Sequence, residues 1–209
     1  MGATASVMAS AIRRGRKFDQ VLEGARTVFL AQGFEAASVD EIARAAGVSK
    51  ATLYSYFPDK AHLFIEVARI ECNRQADAAV EVIAPDAPPE IVLKQVAQHI
   101  TGFVLSEFAQ AVFRVCVAEA ERFPELGHAF YESGPRLGHE RLGEWMREAV
   151  AEGKLKIDDV PLAADQFSEL CKASLWVKSV FGIQNKFSKA EIDRVVEGAV
   201  STFMARYGA

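Results

Sequence analysis

Apolar residues recur at three- and four-residue steps along most of this chain, and no stretch alternates long enough to specify a strand. The pattern predicts an all-α protein. In the first periodic stretch, 17–32, Phe18, Val21, Leu22, Ala25, Val28 and Phe29 share one face. Gly33 ends it, and Phe34 follows where a helix cap makes its apolar contact. Ser38 and Glu41 have the spacing of a capping box and open a second helix of about two turns, carrying Val39, Ile42, Ala43 and Ala46. Gly47 interrupts that pattern. Ser49 is the expected N-cap of a third short helix reaching about Tyr56, and Pro58 stops it. Asp59 is placed to cap a longer fourth helix with Leu63, Phe64, Val67 and Ile70 on its apolar stripe, ending before Pro85.

Three prolines between 84 and 89 suit no regular element and mark a boundary. Beyond it the periodicity predicts helices over 90–108, 109–122, 125–152, 162–181 and 189–207, with Gly134-Pro135 bending or splitting the third of these. No internal repeat is visible.

Composition narrows the class. Half of the residues are hydrophobic and 25% charged, which describes a globular protein rather than a disordered one. Apolar stretches are broken well before the ~20 residues a membrane helix needs, and the start lacks a secretory pattern, so a cytoplasmic protein without membrane association is expected. Gly2 with Ser6 formally fits a myristoylation signature, outweighed by a plain Ala/Ser-rich tail. Cys72, Cys116 and Cys171 are odd in number and sit in apolar helical context, as reduced packing residues do. The net charge of −4 is uneven: residues 1–60 hold eight Lys/Arg against six Asp/Glu, and the remainder sixteen against twenty-two. Only the front of the chain leans basic, helped by Arg13, Arg14, Arg16 and Lys17, a solvated arm or one that reaches a phosphate backbone.

Two short helices meeting at Gly47 have the size of a helix-turn-helix, whose second helix enters the major groove of DNA. Leu53 and Phe57, four apart, anchor that helix inward and leave Lys50, Ala51, Thr52, Tyr54 and Tyr56 outward or sideways. These offer a cation and hydroxyls to phosphates, and a methyl group and an aromatic edge to bases.

From Phe29 through Gly33-Phe34, Ser38, Ile42, Ala43, Ala46-Gly47-Val48-Ser49, Thr52-Leu53-Tyr54, Tyr56-Phe57 and Lys60 to Leu63, the chain resembles the TetR family of bacterial transcriptional regulators. Residues 118–135, with Glu-Arg-Phe-Pro-Glu-Leu at their centre, resemble the ligand-binding half of the AefR-like subgroup. The resemblance implies a flexible basic tail at 1–16, a three-helix DNA-binding domain at 17–60, a connecting helix at 61–84 and a helical ligand-binding and dimerisation domain at 85–209. It implies phosphate contacts from Ser38, Thr52, Tyr56 and Lys60, and base contacts from Lys50, Ala51 and Tyr54. Asp40 departs from the pattern, standing where some members have a base-reading Arg, so the operator read here should differ; it also suits a helix N-terminus.

The resemblance further implies that the last two helices pair across a two-fold axis. Leu175, Trp176 and Val180, with Val195, Val196, Ala199 and Phe203, are the expected dimer residues. Large apolar side chains crowd the helices between, and the same resemblance places an inducer there. The expected lining is Phe103, Phe113, Cys116 and Phe130, joined by Trp145, Phe167 and Cys171, around a mostly apolar or aromatic small molecule. The expected whole is a homodimeric repressor released from a palindromic operator by that ligand, with no cofactor.

Rival classes fare worse. No glycine-rich phosphate loop, paired-histidine zinc helix or nucleophile elbow is present, so an enzyme is not expected. Glu125, His128 and Glu132 have i, i+3, i+7 spacing but read as a solvated helix face, and His128 and His139 are about 16 Å apart on a helix, too far for one metal. A nucleoid protein binding by charge alone would need more than the small positive excess of the first sixty residues.

Overall fold

A computed structural model of the chain describes residues 15–81, 87–121 and 123–209. The expectations for Gly2, Ser6, Arg13 and Arg14, and for the proline-rich segment at 84–86, lie outside them. The described residues form eleven α-helices: α1 (Arg16–Ala36), α2 (Val39–Ala45), α3 (Lys50–Tyr56), α4 (Lys60–Glu81), α5 (Pro89–Val104), α6 (Glu107–Glu119), α7 (Pro124–Tyr131), α8 (Leu137–Ala151), α9 (Val160–Leu170), α10 (Leu175–Val180) and α11 (Lys189–Tyr207). A π turn, Glu132–Arg136, joins α7 to α8. Among the described residues helices predominate and no strand is present, so the all-α expectation is met. The helices pack as two compact units, Met1–Phe64 and Ile65–Ala209.

In the first unit, local chemistry sets each boundary. Ser38 and Glu41 form the capping box, with Ser38 N–H donating to Glu41 Oε2 at 3.1 Å and Glu41 N–H to Ser38 Oγ at 3.2 Å. At the far end of α2, Gly47 adopts φ 64°, and the N–H groups of Gly47 and Val48 return to the carbonyls of Arg44 and Ala43. This paired closure needs a left-handed residue, which glycine supplies without steric cost. Ser49 caps α3 through the Thr52 N–H at 3.1 Å, and Asp59 Oδ1 accepts the His62 N–H at 2.9 Å at the start of α4. Phe18, Val21, Ala25 and Phe29 of α1 are buried with Ile42, Leu53 and Phe64. Phe18 stacks on Phe57 at 5.5 Å, and Phe29 meets Phe64 edge-on at 4.8 Å. A side chain at Gly24 would lie 2.5 Å from the Ala46 nitrogen, so α1 and α2 approach as closely as they do only because Gly24 has none.

In the second unit α5 packs on α11, and α8 on α9, around Leu93, Met146, Phe167, Val196 and Phe203. The helix expected over 125–152 is divided by the π turn. Pro135 has no N–H to give to the carbonyl four residues back, and the widened turn takes in the surplus residue. The helix expected over 162–181 is broken too, because Ser174 takes φ 61° and separates α9 from α10. The Leu175 N–H turns to Ala173 and leaves the Cys171 carbonyl without its helical donor; the buried Thr101 hydroxyl of α5 supplies one at 3.0 Å. Among the described residues no single helix is long and apolar enough to cross a membrane.

Candidate functional site

Each unit offers one surface with chemistry. On the first, Leu53 is fully buried and Phe57 nearly so, which holds α3 to its unit by the residues expected to anchor it. Lys50, Ala51 and Tyr54, at i, i+1 and i+4, are exposed and occupy one side of α3, with Tyr54 49% exposed. Thr52 is half-buried and shares a 2.9 Å hydrogen bond with the Ser49 hydroxyl. Tyr56 is also half-buried, its ring edge-on to Phe18 at 5.5 Å, so packing claims much of it.

Two expected phosphate ligands are committed elsewhere. The Lys60 ammonium donates to the carbonyls of Phe34, Glu35 and Ala37, at 2.8, 3.4 and 3.1 Å, and lies 4.4 Å from the centre of the Phe34 ring. An ammonium has three protons, and all three go to closing the end of α1. The Ser38 hydroxyl gives its proton to Glu41 Oε2 at 2.7 Å, and this bond, with a second from the Ser38 backbone, holds the Glu41 carboxyl below its ordinary pKa. Sequence reading missed the partner of Lys50: its ammonium lies 2.6 Å from Asp40 Oδ1, with both side chains exposed. The departure noted at Asp40 therefore bears directly on the cation expected to meet bases.

The second unit holds a cavity of about 220 Å³ that opens to solvent, lined among others by Phe103, Phe130 and Trp145, three of the seven residues expected there. The other four do not line it. Phe113 stands behind the wall, its ring edge-on to Trp176 at 5.1 Å. Phe167 is fully buried against Phe203 at 5.1 Å in the core, where Cys171 also lies. Cys116 is buried, and burial pushes its thiol pKa up to about 12, as it does for Cys171, so both stay protonated and weakly reactive. Other lining residues follow helical spacing that sequence reading could have used: Val96, Ile100 and Phe103 on α5, and Ser168, Lys172 and Trp176 at four-residue steps through the break after α9. Periodicity finds apolar faces, but it does not say which face meets core and which meets a void.

The expected dimer residues need the same correction. Leu175, Val196, Ala199 and Phe203 are at most 2% exposed and Val195 is buried, because α11 and α10 turn these side chains into their own unit. Trp176 lines the cavity and Val180 is half-buried. The exposed large apolar residues of this region are Val177, Phe181 and Ile183. Among the described residues no group of three His, Cys, Asp or Glu could hold a metal ion; the Glu125 side chain lies outside them.

Residues 21–67 match the family model of the bacterial regulatory proteins of the tetR family, and residues 91–209, more than half of the chain, match that of the AefR-like transcriptional repressor C-terminal domain. The chain belongs to the TetR family. A TetR-family regulator from Mesorhizobium loti has 28% identity and a TM-score of 0.82, over 93% of this chain and 98% of that one. The flavonoid-responsive regulator FrrA has 36% identity and a TM-score of 0.71 over the same shares. The transcriptional repressor AcnR of Corynebacterium glutamicum is 37% identical over 62 residues, which are 30% of this chain and 33% of AcnR. The chain thus matches only about a third of the length of these curated repressors. TetR-family proteins are transcriptional regulators rather than enzymes, and this chain is a DNA-binding transcriptional regulator of that kind.

Proposed function

We propose that the protein is a homodimeric repressor that leaves a palindromic operator when a small, mostly apolar ligand enters the cavity of its second unit. The observation that carries this reading is α3, anchored inward at Leu53 and Phe57 with Lys50, Ala51 and Tyr54 presented together to solvent. Lys50 and Tyr54 supply a cation and an aromatic hydroxyl, and Ala51 a methyl of the kind that packs against thymine. Thr52 and Tyr56 flank that face and serve phosphates; Lys60 and Ser38 position helices instead of touching DNA.

Two-fold symmetry suits the reading. Val177 at 57%, Phe181 at 76% and Ile183 at 73% exposure form an apolar stretch at the end of α10 that a second copy would cover. Pairing there sets two recognition helices against half-sites about 34–36 Å apart or at a related groove spacing. A ligand that prefers another separation weakens binding by its differential affinity, typically about 1–3 kcal/mol of coupling. An apolar ligand agrees with the lining of the cavity and with the flavonoid response named for FrrA, 36% identical over almost its whole length.

Selection of bound duplexes from a random pool tests the reading. A palindrome is expected, and alanine at both Lys50 and Tyr54 should weaken its binding at least tenfold. Equal affinity in the doubly substituted protein would remove α3 from the interface. Sedimentation showing a monomer at micromolar concentration would remove the symmetric arrangement.

A further inference from the structure

The cavity wall is basic in a unit that is otherwise acidic. Residues 61–209 hold sixteen Lys/Arg against twenty-two Asp/Glu, yet among the described residues the lining includes His99 on α5, His139 and Arg141 on α8 and Lys172 after α9, and no Asp or Glu. The carboxylates that pair with two of these stand on the outer side. Asp165 meets His139 Nδ1 at 2.6 Å with its side chain 58% exposed. Glu169 pairs with Lys172 and is 71% exposed, whereas the Lys172 side chain is only 26% exposed. In both pairs the basic side chain is the more buried member and its carboxylate partner is the more exposed.

Filling this cavity with a neutral hydrocarbon would strip water from half-buried Lys172, His139 and His99, and for Lys172 and His139 the exposed carboxylates of Glu169 and Asp165 would offset only part of that loss. An anionic group on the ligand would repay that cost, since a carboxylate removed from water is tolerated where cations meet it. Ser168 adds a hydroxyl whose proton goes to the Ala164 carbonyl at 3.0 Å. The rest of the wall, from Ile100 and Phe103 to Trp145, is apolar. We propose that the ligand is a compact apolar acid: a hydrocarbon body of one or a few rings, carrying one carboxylate directed at Lys172 and Arg141. A void of about 220 Å³ suits a body of that compact size. The assignment rests on reading this cavity as the ligand site.

Both tryptophans of the chain, Trp145 and Trp176, line the cavity, so their emission reports its occupancy. The full-length protein is titrated with adamantane-1-carboxylate and with adamantane-1-carboxamide, which match in shape and do not absorb where tryptophan is excited. The carboxylate is expected to bind at least tenfold more tightly. Lys172→Met and Arg141→Gln, each verified as folded by its circular dichroism melt, should each erode that preference severalfold while leaving amide binding unchanged. Equal binding of acid and amide overturns the acidic ligand but leaves an apolar one. A preference that survives both substitutions overturns the assignment to these two cations. No change in emission with either compound, up to its solubility, overturns the cavity reading and the proposal with it.

Discussion

The surface of α3 and the cavity are built in opposite ways. The boundaries of the helices that present α3 are set within residues 38–57, by a capping box at Ser38, a left-handed glycine at position 47 and an N-cap at Ser49, and its inward anchors pack within the same unit, Phe57 on Phe18 of α1. The cavity draws its wall from Cys72 on α4 through to Trp176 on α10, and none of its contributors is set in place by neighbours in sequence alone. A surface specified within one unit tolerates change in the other. A cavity assembled from many helices registers any shift in one of them, which is what a ligand-responsive element requires.

This contrast can be broken most forcefully at Gly24. Gly24→Val sets side-chain atoms against the Ala46 backbone and should cost about 3 kcal/mol, the upper end of overpacking penalties. Thermal melts should show the first unit loosened and operator binding lost, with the tryptophan response to cavity ligands retained. Loss of both would mean that the two surfaces are not independently specified. Lys60→Met should lower stability by about 1–3 kcal/mol, because three carbonyls at the end of α1 lose a charged donor. Its salt slope for DNA binding should match the parent's, whereas a slope reduced by about one would return Lys60 to the phosphates.

Smaller effects sharpen the comparison. Asp40→Asn releases Lys50 and removes a negative charge beside it, so duplex binding should tighten severalfold with reduced discrimination between sequences; weaker binding would show that the carboxylate itself reads a base. Ser174→Gly relieves a left-handed conformation and should gain up to about 1 kcal/mol, read as a raised melting temperature. Least of all, acidification should loosen the start of α11. Glu191 is held at about 2 by hydrogen bonds from the Gln184 side chain and from Ser188. A depressed carboxyl stabilises the folded state above its ordinary pKa and loses that effect as pH falls from about 4.5 towards 2. Glu191→Gln should flatten stability in that window.

Legibility follows the same divide. The capping box at Ser38, the closure at Gly47 and the N-cap at Ser49 each depend on residues three to five positions apart, and all were visible in the sequence. The break at Ser174 was not, because serine has no intrinsic preference for a left-handed conformation and the hydroxyl that compensates it comes from Thr101, seventy residues before the Cys171 carbonyl it meets. For the same reason Val196 and Phe203 read as a dimer face. Helical spacing reports that a face is apolar and leaves open whether its partner is the same chain or another. Lys60 looked like a phosphate ligand, since nothing near it in sequence announces the carbonyls of Phe34 and Ala37.

Helix α10 is six residues long and carries adjacent side chains with opposite duties. Trp176 borders the void while Val177 stands in solvent, and a rod this short has no room to absorb a push on one side before delivering it to the other. Whatever nudges the indole must swing the neighbouring isopropyl group, much as turning a key moves both faces of its blade.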